Sequence, residues 1–173
     1  MKQIQLAVAA SLLFASNAHA QLIPAEEFAK RPEASDVALS PSGNQVAIAV
    51  PTADGTETRL EVVDLATGKS QVMRFGPQQH VSDIYWTADD RLVVSRAELE
   101  PLKARPVTQG ELYTTDVKAK NQDVLFGFVP DTVSKRGKRK DHGWSVVAKV
   151  LDREPGMALV DFTCWDCGEE PDT

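Results

Sequence analysis

The chain has 173 residues and sets 25 acidic against 19 basic side chains, a formal net charge of −6. An acidic surface of this kind excludes nucleic acid and an anionic membrane as main partners, because both are held by clustered positive charge. The length suffices for one ordinary domain core.

The first twenty residues read as a signal peptide. Lys2 supplies a short positive start, residues 4–15 are apolar except for Gln5 and Ser11, and Ala18-His19-Ala20 has the small-x-small pattern of a cleavage site. The mature chain is expected to begin at Gln21, with a net charge of about −7. The apolar run falls short of the roughly 20 residues that span a bilayer core. No later run reaches that length, so the expectation is an exported chain, periplasmic or secreted, with no membrane span after cleavage.

Residues 21–33 predict a short lead-in helix. Pro24 suits a first helical position, Glu26 and Glu27 favour the positive end of the helix dipole, Lys30 and Arg31 the negative end, and Pro32 stops it. A Glu-Glu pair also holds a substrate amino group in some exopeptidases. Here the charging of the helix ends accounts for it.

Residues 36–50 carry the pattern that organises the rest. Val37 and Leu39 alternate with Asp36 and Ala38, a Ser-Pro-Ser-Gly turn follows, and Val46, Ile48 and Val50 alternate with Gln45, Ala47 and Ala49. Period two on both sides of a turn predicts a β-hairpin with one buried face. Pro41 presets φ in the turn, and Gly43 can take the positive φ that closes it. A second hairpin follows, from residues 59–64 through Ala66-Thr67-Gly68-Lys69 to residues 70–75. The two together make a four-stranded antiparallel unit of roughly 45 residues, the size of a propeller blade.

The pattern then repeats. Ile84 falls on Val37, Trp86 on Leu39, Leu92 on Val46 and Val94 on Ile48. Residues 115–125 align without a gap on residues 63–73, placing Asp116 on Asp64 and Val124 on Val72. A two-proline loop within residues 98–110 absorbs the difference in spacing between the two hairpins. Residues 144–151 and 157–162 flank the turn Asp152-Arg153-Glu154-Pro155-Gly156 and start a third unit that the chain does not finish. Trp86 and Trp144 sit where bulky side chains fill the space between neighbouring blades.

The expected fold is all-β: a partial β-propeller of about two and a half four-stranded blades after a signal peptide and a short helix. In residue numbers, 1–20 is the signal, 21–33 the helical lead-in, and 34–173 the incomplete propeller. Within it the first blade is 34–78, the second 79–129, a basic loop 130–143, and the start of a third blade 144–173. An array with an open sheet edge implies truncation, with something continuing or covering that edge.

Candidate chemistry is sparse. Cys164-Trp165-Asp166-Cys167 admits three readings: a local disulfide between Cys164 and Cys167, a thiol-redox pair, or half of a zinc site. A redox pair needs its first thiol at a helix N-terminus, and the acidic residues nearby work against a thiolate. A zinc site needs two further ligands, and the mature chain offers only His80 and His142, far apart in sequence. A local disulfide suits an oxidising compartment. Both histidines read as loop residues. Lys135-Arg136-Gly137-Lys138-Arg139-Lys140 places five positive charges in six residues; on an exported acidic chain it reads as a solvated, protease-accessible loop. No residue set implies a cofactor.

The run from Glu26 through the 36–50 hairpin, the segments VVDLATGK, HVSDIYWTADDRLVVS and GELYTTD, and the closing LFGF resembles the start of secreted bacterial peptidases of the prolyl oligopeptidase family. In that family an N-terminal propeller covers a C-terminal α/β-hydrolase domain and restricts access to a Ser-Asp-His triad. The resemblance implies a non-catalytic propeller portion that gates peptide substrates toward a catalytic domain missing from this chain. The family's GxSxG nucleophile motif does not occur here. Gly143-Trp144-Ser145-Val146-Val147 lacks the second glycine and starts a strand, so no catalytic residue carries over. The alternative is a TolB-like periplasmic propeller that binds a protein partner without enzymatic activity.

Overall fold

The computed structural model describes residues 32–103, 105–127 and 141–165, with the backbone alone for Asp141 and His142. The signal peptide, the lead-in helix apart from Pro32 and Glu33, and the basic block at 135–140 lie outside the described residues. What is described is all-β, with ten strands and no helix.

Strands β1 (Asp36–Leu39), β2 (Gln45–Pro51), β3 (Thr58–Asp64) and β4 (Ser70–Met73) form a four-stranded antiparallel meander, sheet 1. The first turn forms as its residues dictate. Ser40 N–H donates to the Gln45 carbonyl at 2.9 Å, Gly43 N–H to the Ser40 carbonyl at 2.9 Å, and Gly43 takes φ 73°. At the β3–β4 turn the Asp64 carboxylate accepts from both the backbone N–H and the hydroxyl of Thr67, each at 2.8 Å. These two bonds hold the Asp64 carboxyl below the usual carboxylate range.

Strands β5 (His80–Ala88), β6 (Arg91–Glu98), β7 (Val107–Asp116) and β8 (Asp123–Gly127) repeat the meander as sheet 2. The registers of the two sheets correspond. Val37 pairs with Ile48 and Val46 with Val63 in sheet 1; Ile84 pairs with Val94 and Leu92 with Thr115 in sheet 2. These are the pairs that the internal repeat matches. The repeat loosens in β7, where the register shifts after Arg96 and Gly110 takes φ 72°.

Strands β9 (Asp141–Val150) and β10 (Ala158–Cys164) form an antiparallel hairpin. Parallel pairing of Phe126 with Asp141 and of Gly127 with His142 extends sheet 2 to six strands in the order β10-β9-β8-β7-β6-β5. The sequence places the start of this strand at Trp144; β9 instead begins at Asp141, because pairing with β8 draws the last residues of the expected loop into the sheet. His142 is therefore a strand residue, contrary to the loop reading.

Two apolar layers hold the stack. Ala47, Ala49, Leu60, Val62 and Met73 from sheet 1 pack on Val81, Ile84, Trp86, Leu92 and Val94 from sheet 2. On the far side of sheet 2, Val93 and Leu112 pack with Val147, Val150, Ala158 and Val160 of the hairpin. A strand that joins the meander of sheet 2 only through two pairs with β8 reaches residues of β6 and β7 by folding over the face of sheet 2, and β9 does so. Sheet 1, sheet 2 and the hairpin thus stack face to face.

The buried face of the first hairpin differs from the one its larger residues suggest. Ala47 and Ala49 are fully buried, whereas Val37 and Leu39 are 57% and 60% exposed. Alternation here separates small from large apolar side chains, not apolar from polar. Polar bonds fix the seam between the sheets. The Asp36 carboxylate accepts from Ile84 N–H at 2.8 Å, and Trp86 Nε1–H donates to the Ala38 carbonyl at 3.0 Å.

Candidate functional site

At one end of the stack three segments converge: the β2–β3 turn, the connection from β4 to β5, and the end of β6. Thr56, Gln78, Gln79, His80, Glu98 and Leu99 line a cleft of about 340 Å³ there.

The β2–β3 turn is held by one carboxylate. Asp54 Oδ1 accepts the Thr52 hydroxyl at 2.5 Å, the Thr56 hydroxyl at 2.9 Å and the Thr56 backbone N–H at 3.1 Å. Thr52 first, and Thr56 after it, lower the Asp54 carboxyl from 3.8 to about 2. A depressed folded-state value means that the contribution to stability is complete above 3.8 and is lost as pH falls through about 2. Asp54→Asn is expected to be less stable than the parent chain at neutral pH, with the gap narrowing as pH falls through that window. Urea unfolding at neutral and acidic pH measures it.

His80 is the first residue of β5 and is buried, not a loop residue before the strand. Its Nδ1 lies 3.0 Å from the Thr58 hydroxyl, and Thr58 N–H donates to the Gln79 carbonyl at 3.1 Å. Beside it, Arg96 gathers a charged cluster. Its guanidinium donates to Gln79 Oε1, to Glu98 Oε1 at 2.6 Å and to the Tyr113 hydroxyl at 3.1 Å, and pairs with Glu111 Oε2 at 2.5 Å. Glu111 stands directly across the ladder from Arg96 and is only 4% exposed. Such a carboxylate persists in the interior because it is paired. Burial pushes the Tyr113 phenol up, and Arg96 partly offsets this.

The chain matches no family model, no curated protein and no solved structure.

The cleft presents amides, a hydroxyl and a carboxylate, and so can hydrogen-bond a polar chain. His80 is engaged by Thr58, and Glu98 by Arg96 and Gln79, so neither is set up as a base against a nucleophile. Ser145 lies inside β9, buried, with its hydroxyl donating to the Gly110 carbonyl at 2.7 Å. That is a structural bond and not a nucleophile elbow. Among the described residues no group of three His, Cys, Asp or Glu could hold a metal ion. Cys164 is disulfide-bonded. The other cysteine of the sequence, Cys167, lies outside the described residues, as does the Glu26-Glu27 pair.

Arg96, Glu98 and Glu111 escape a reading of the sequence alone. One signal for them is present: Arg96 and Glu111 each adjoin a run, residues 92–95 and 112–115, that is wholly apolar or hydroxylated. Their juxtaposition needs the β6–β7 register, which pairs Arg96 with Glu111 just before the ladder shifts.

Proposed function

We propose that this chain is the non-catalytic N-terminal propeller portion of an exported prolyl-oligopeptidase-like serine peptidase, in which it gates peptide substrates toward an α/β-hydrolase domain outside this chain. The observation that carries the reading is the repeated four-stranded meander with matching registers, stacked face to face. Radial stacking of such sheets is how propeller blades pack. The order of apolar leader, short helical segment and blade repeat supports the peptidase family over other propellers. The cleft at the loop end, lined by hydrogen-bonding side chains without a nucleophile and base, suits a surface that a peptide passes rather than one that cleaves it.

The test is the complete reading frame and its product. It should continue through further four-stranded repeats to a GxSxG elbow, and the 173-residue chain by itself should not hydrolyse proline-containing peptides. Hydrolysis by the chain alone at a rate abolished by a serine-directed fluorophosphonate would overturn the reading. A frame that holds no hydrolase domain would overturn it in favour of the TolB-like binding module.

A further inference from the structure

We propose that the cleft between the β2–β3 turn and the end of β6 is a cation site, which takes the ammonium or guanidinium of a basic side chain on a peptide. The inference rests on the reading of this cleft as a surface that a peptide passes, and it adds which peptides are held there.

The sign of the site follows from where the protons of its lining already go. Arg96, the guanidinium beside the cleft, is fully engaged by Gln79 Oε1, Glu98 Oε1, the Tyr113 hydroxyl and Glu111 Oε2. An anion entering the cleft would have to compete with two carboxylates for it. Gln79 is oriented by the same group. Because its Oε1 accepts from Arg96, its Nε2 is the end that faces Glu98, donating to Oε1 at 3.3 Å. Both bonds to Glu98 therefore fall on one oxygen. The other, Oε2, belongs to a half-exposed side chain and accepts no hydrogen bond among the described residues.

The opposite wall has the same polarity. The Thr56 hydroxyl gives its one proton to Asp54 Oδ1 at 2.9 Å, since a carboxylate can only accept, and so offers the cleft its lone pairs. The Gln78 side chain has no hydrogen bond to another described residue and can turn its carbonyl oxygen to the same ligand. His80 is held by Thr58 through Nδ1, and among the described residues no Lys or Arg lines the cleft. A lining whose free groups accept, and whose one exposed charge is negative, suits a ligand that is positive and only donates. An ammonium with three N–H donors and a guanidinium with five are such groups. Leu99, 42% exposed, supplies an apolar wall for the methylene stem that carries either head.

The experiment is a heteronuclear NMR titration of the full chain with acetylated, amidated glycine pentapeptides whose central residue is lysine, norleucine or glutamate. The lysine peptide is expected to bind about tenfold more tightly than the norleucine peptide, the worth of one charge-assisted hydrogen bond. It should shift the amide signals of Thr56, Gln78 and Leu99. Glu98→Gln keeps an acceptor for Arg96 but removes the charge, and is expected to abolish the preference for lysine. Thr56→Val, at an exposed turn, should reduce it about fivefold and serves if Glu98→Gln does not fold. Asp161→Asn removes one exposed charge from β10 and should leave the preference intact. Equal binding of the lysine and norleucine peptides, or tighter binding of the glutamate peptide, would overturn the proposal. So would a preference that survives Glu98→Gln and Thr56→Val, or one that Asp161→Asn abolishes, which would indicate attraction by net charge alone. Binding of free butylammonium as tight as that of the lysine peptide would overturn it in favour of small amines. None of these outcomes depends on whether the reading frame continues to a GxSxG elbow, so failure of the site and failure of the peptidase reading are separately visible.

Discussion

Replacing Trp86 with alanine is expected to destabilise the fold by about 4 kcal/mol. The indole lies between sheets 1 and 2 within the main core and is 6% exposed. Truncation removes its apolar contact with both sheets and leaves a space that Ala47, Ala49 and Leu60 are too constrained by their ladders to fill. It also strips the Ala38 carbonyl of its indole donor. Trp86→Phe isolates that last effect: it keeps most of the volume and should cost only about 1 kcal/mol plus a small packing term. Urea unfolding measures both as falls in the midpoint at an unchanged slope, since the surface exposed on unfolding stays nearly the same.

Gly110→Ala should cost about 3 kcal/mol, by a different cause. Gly110 has φ 72°, a region that disfavours a side chain by roughly 1–2 kcal/mol. A Cβ there would also lie 2.6 Å from Trp144 Cδ2 and 2.9 Å from Trp144 Cα. The indole could rotate away, but the backbone of β9 would have to move, adding overpacking strain of about 1–3 kcal/mol. The Ser145 hydroxyl bond to the Gly110 carbonyl would be displaced with it. The loss is expected to loosen the hairpin from sheet 2 while the seam between sheets 1 and 2 stays intact. Limited proteolysis should then cut between β8 and β9 sooner than in the parent, and Gly43→Ala, with open space around its Cβ position, provides the control for positive φ alone.

The two meanders are legible in the sequence because their information is local. Period-two runs, Pro41, Gly43 and the Asp64 and Asp116 turns each act within a few residues, and the internal repeat matches the register of one sheet to that of the other without knowledge of any contact. The burial of the first hairpin is not legible. Both faces of a stacked sheet are apolar, so alternation between Val46 and Ala47 marks side-chain size and leaves open which face meets the neighbour. The placement of β9 escapes for a related reason: its parallel pairing with β8 joins residues across a long connection, and nothing local encodes it. At the site, His80 reads as a loop residue because its burial comes from Thr58 on another strand. The Arg96 cluster depends on the pairing of β6 with β7 and on Gln79 from the β4–β5 connection, neither of which sequence periodicity shows. The disulfide expectation for Cys164 and Cys167 draws only on compartment and spacing, and Cys167 lies outside the described residues.

The central claim is that sheet 2 is covered on one face by sheet 1 and on the other by the hairpin, as successive units of one stack. Native-state hydrogen exchange on the dilute chain tests it most directly, because amide protection follows the free energy of the opening that exposes each strand. Exchange should be slowest in β6 and β7, around Leu92, Val94 and Leu112, which are fully buried between two covering layers. It should be faster in β2 and β3, which among the described residues are covered on one side only, and fastest in the edge strands β1 and β10. Protection in β2 and β3 that equals or exceeds that in β6 and β7 would contradict the stack.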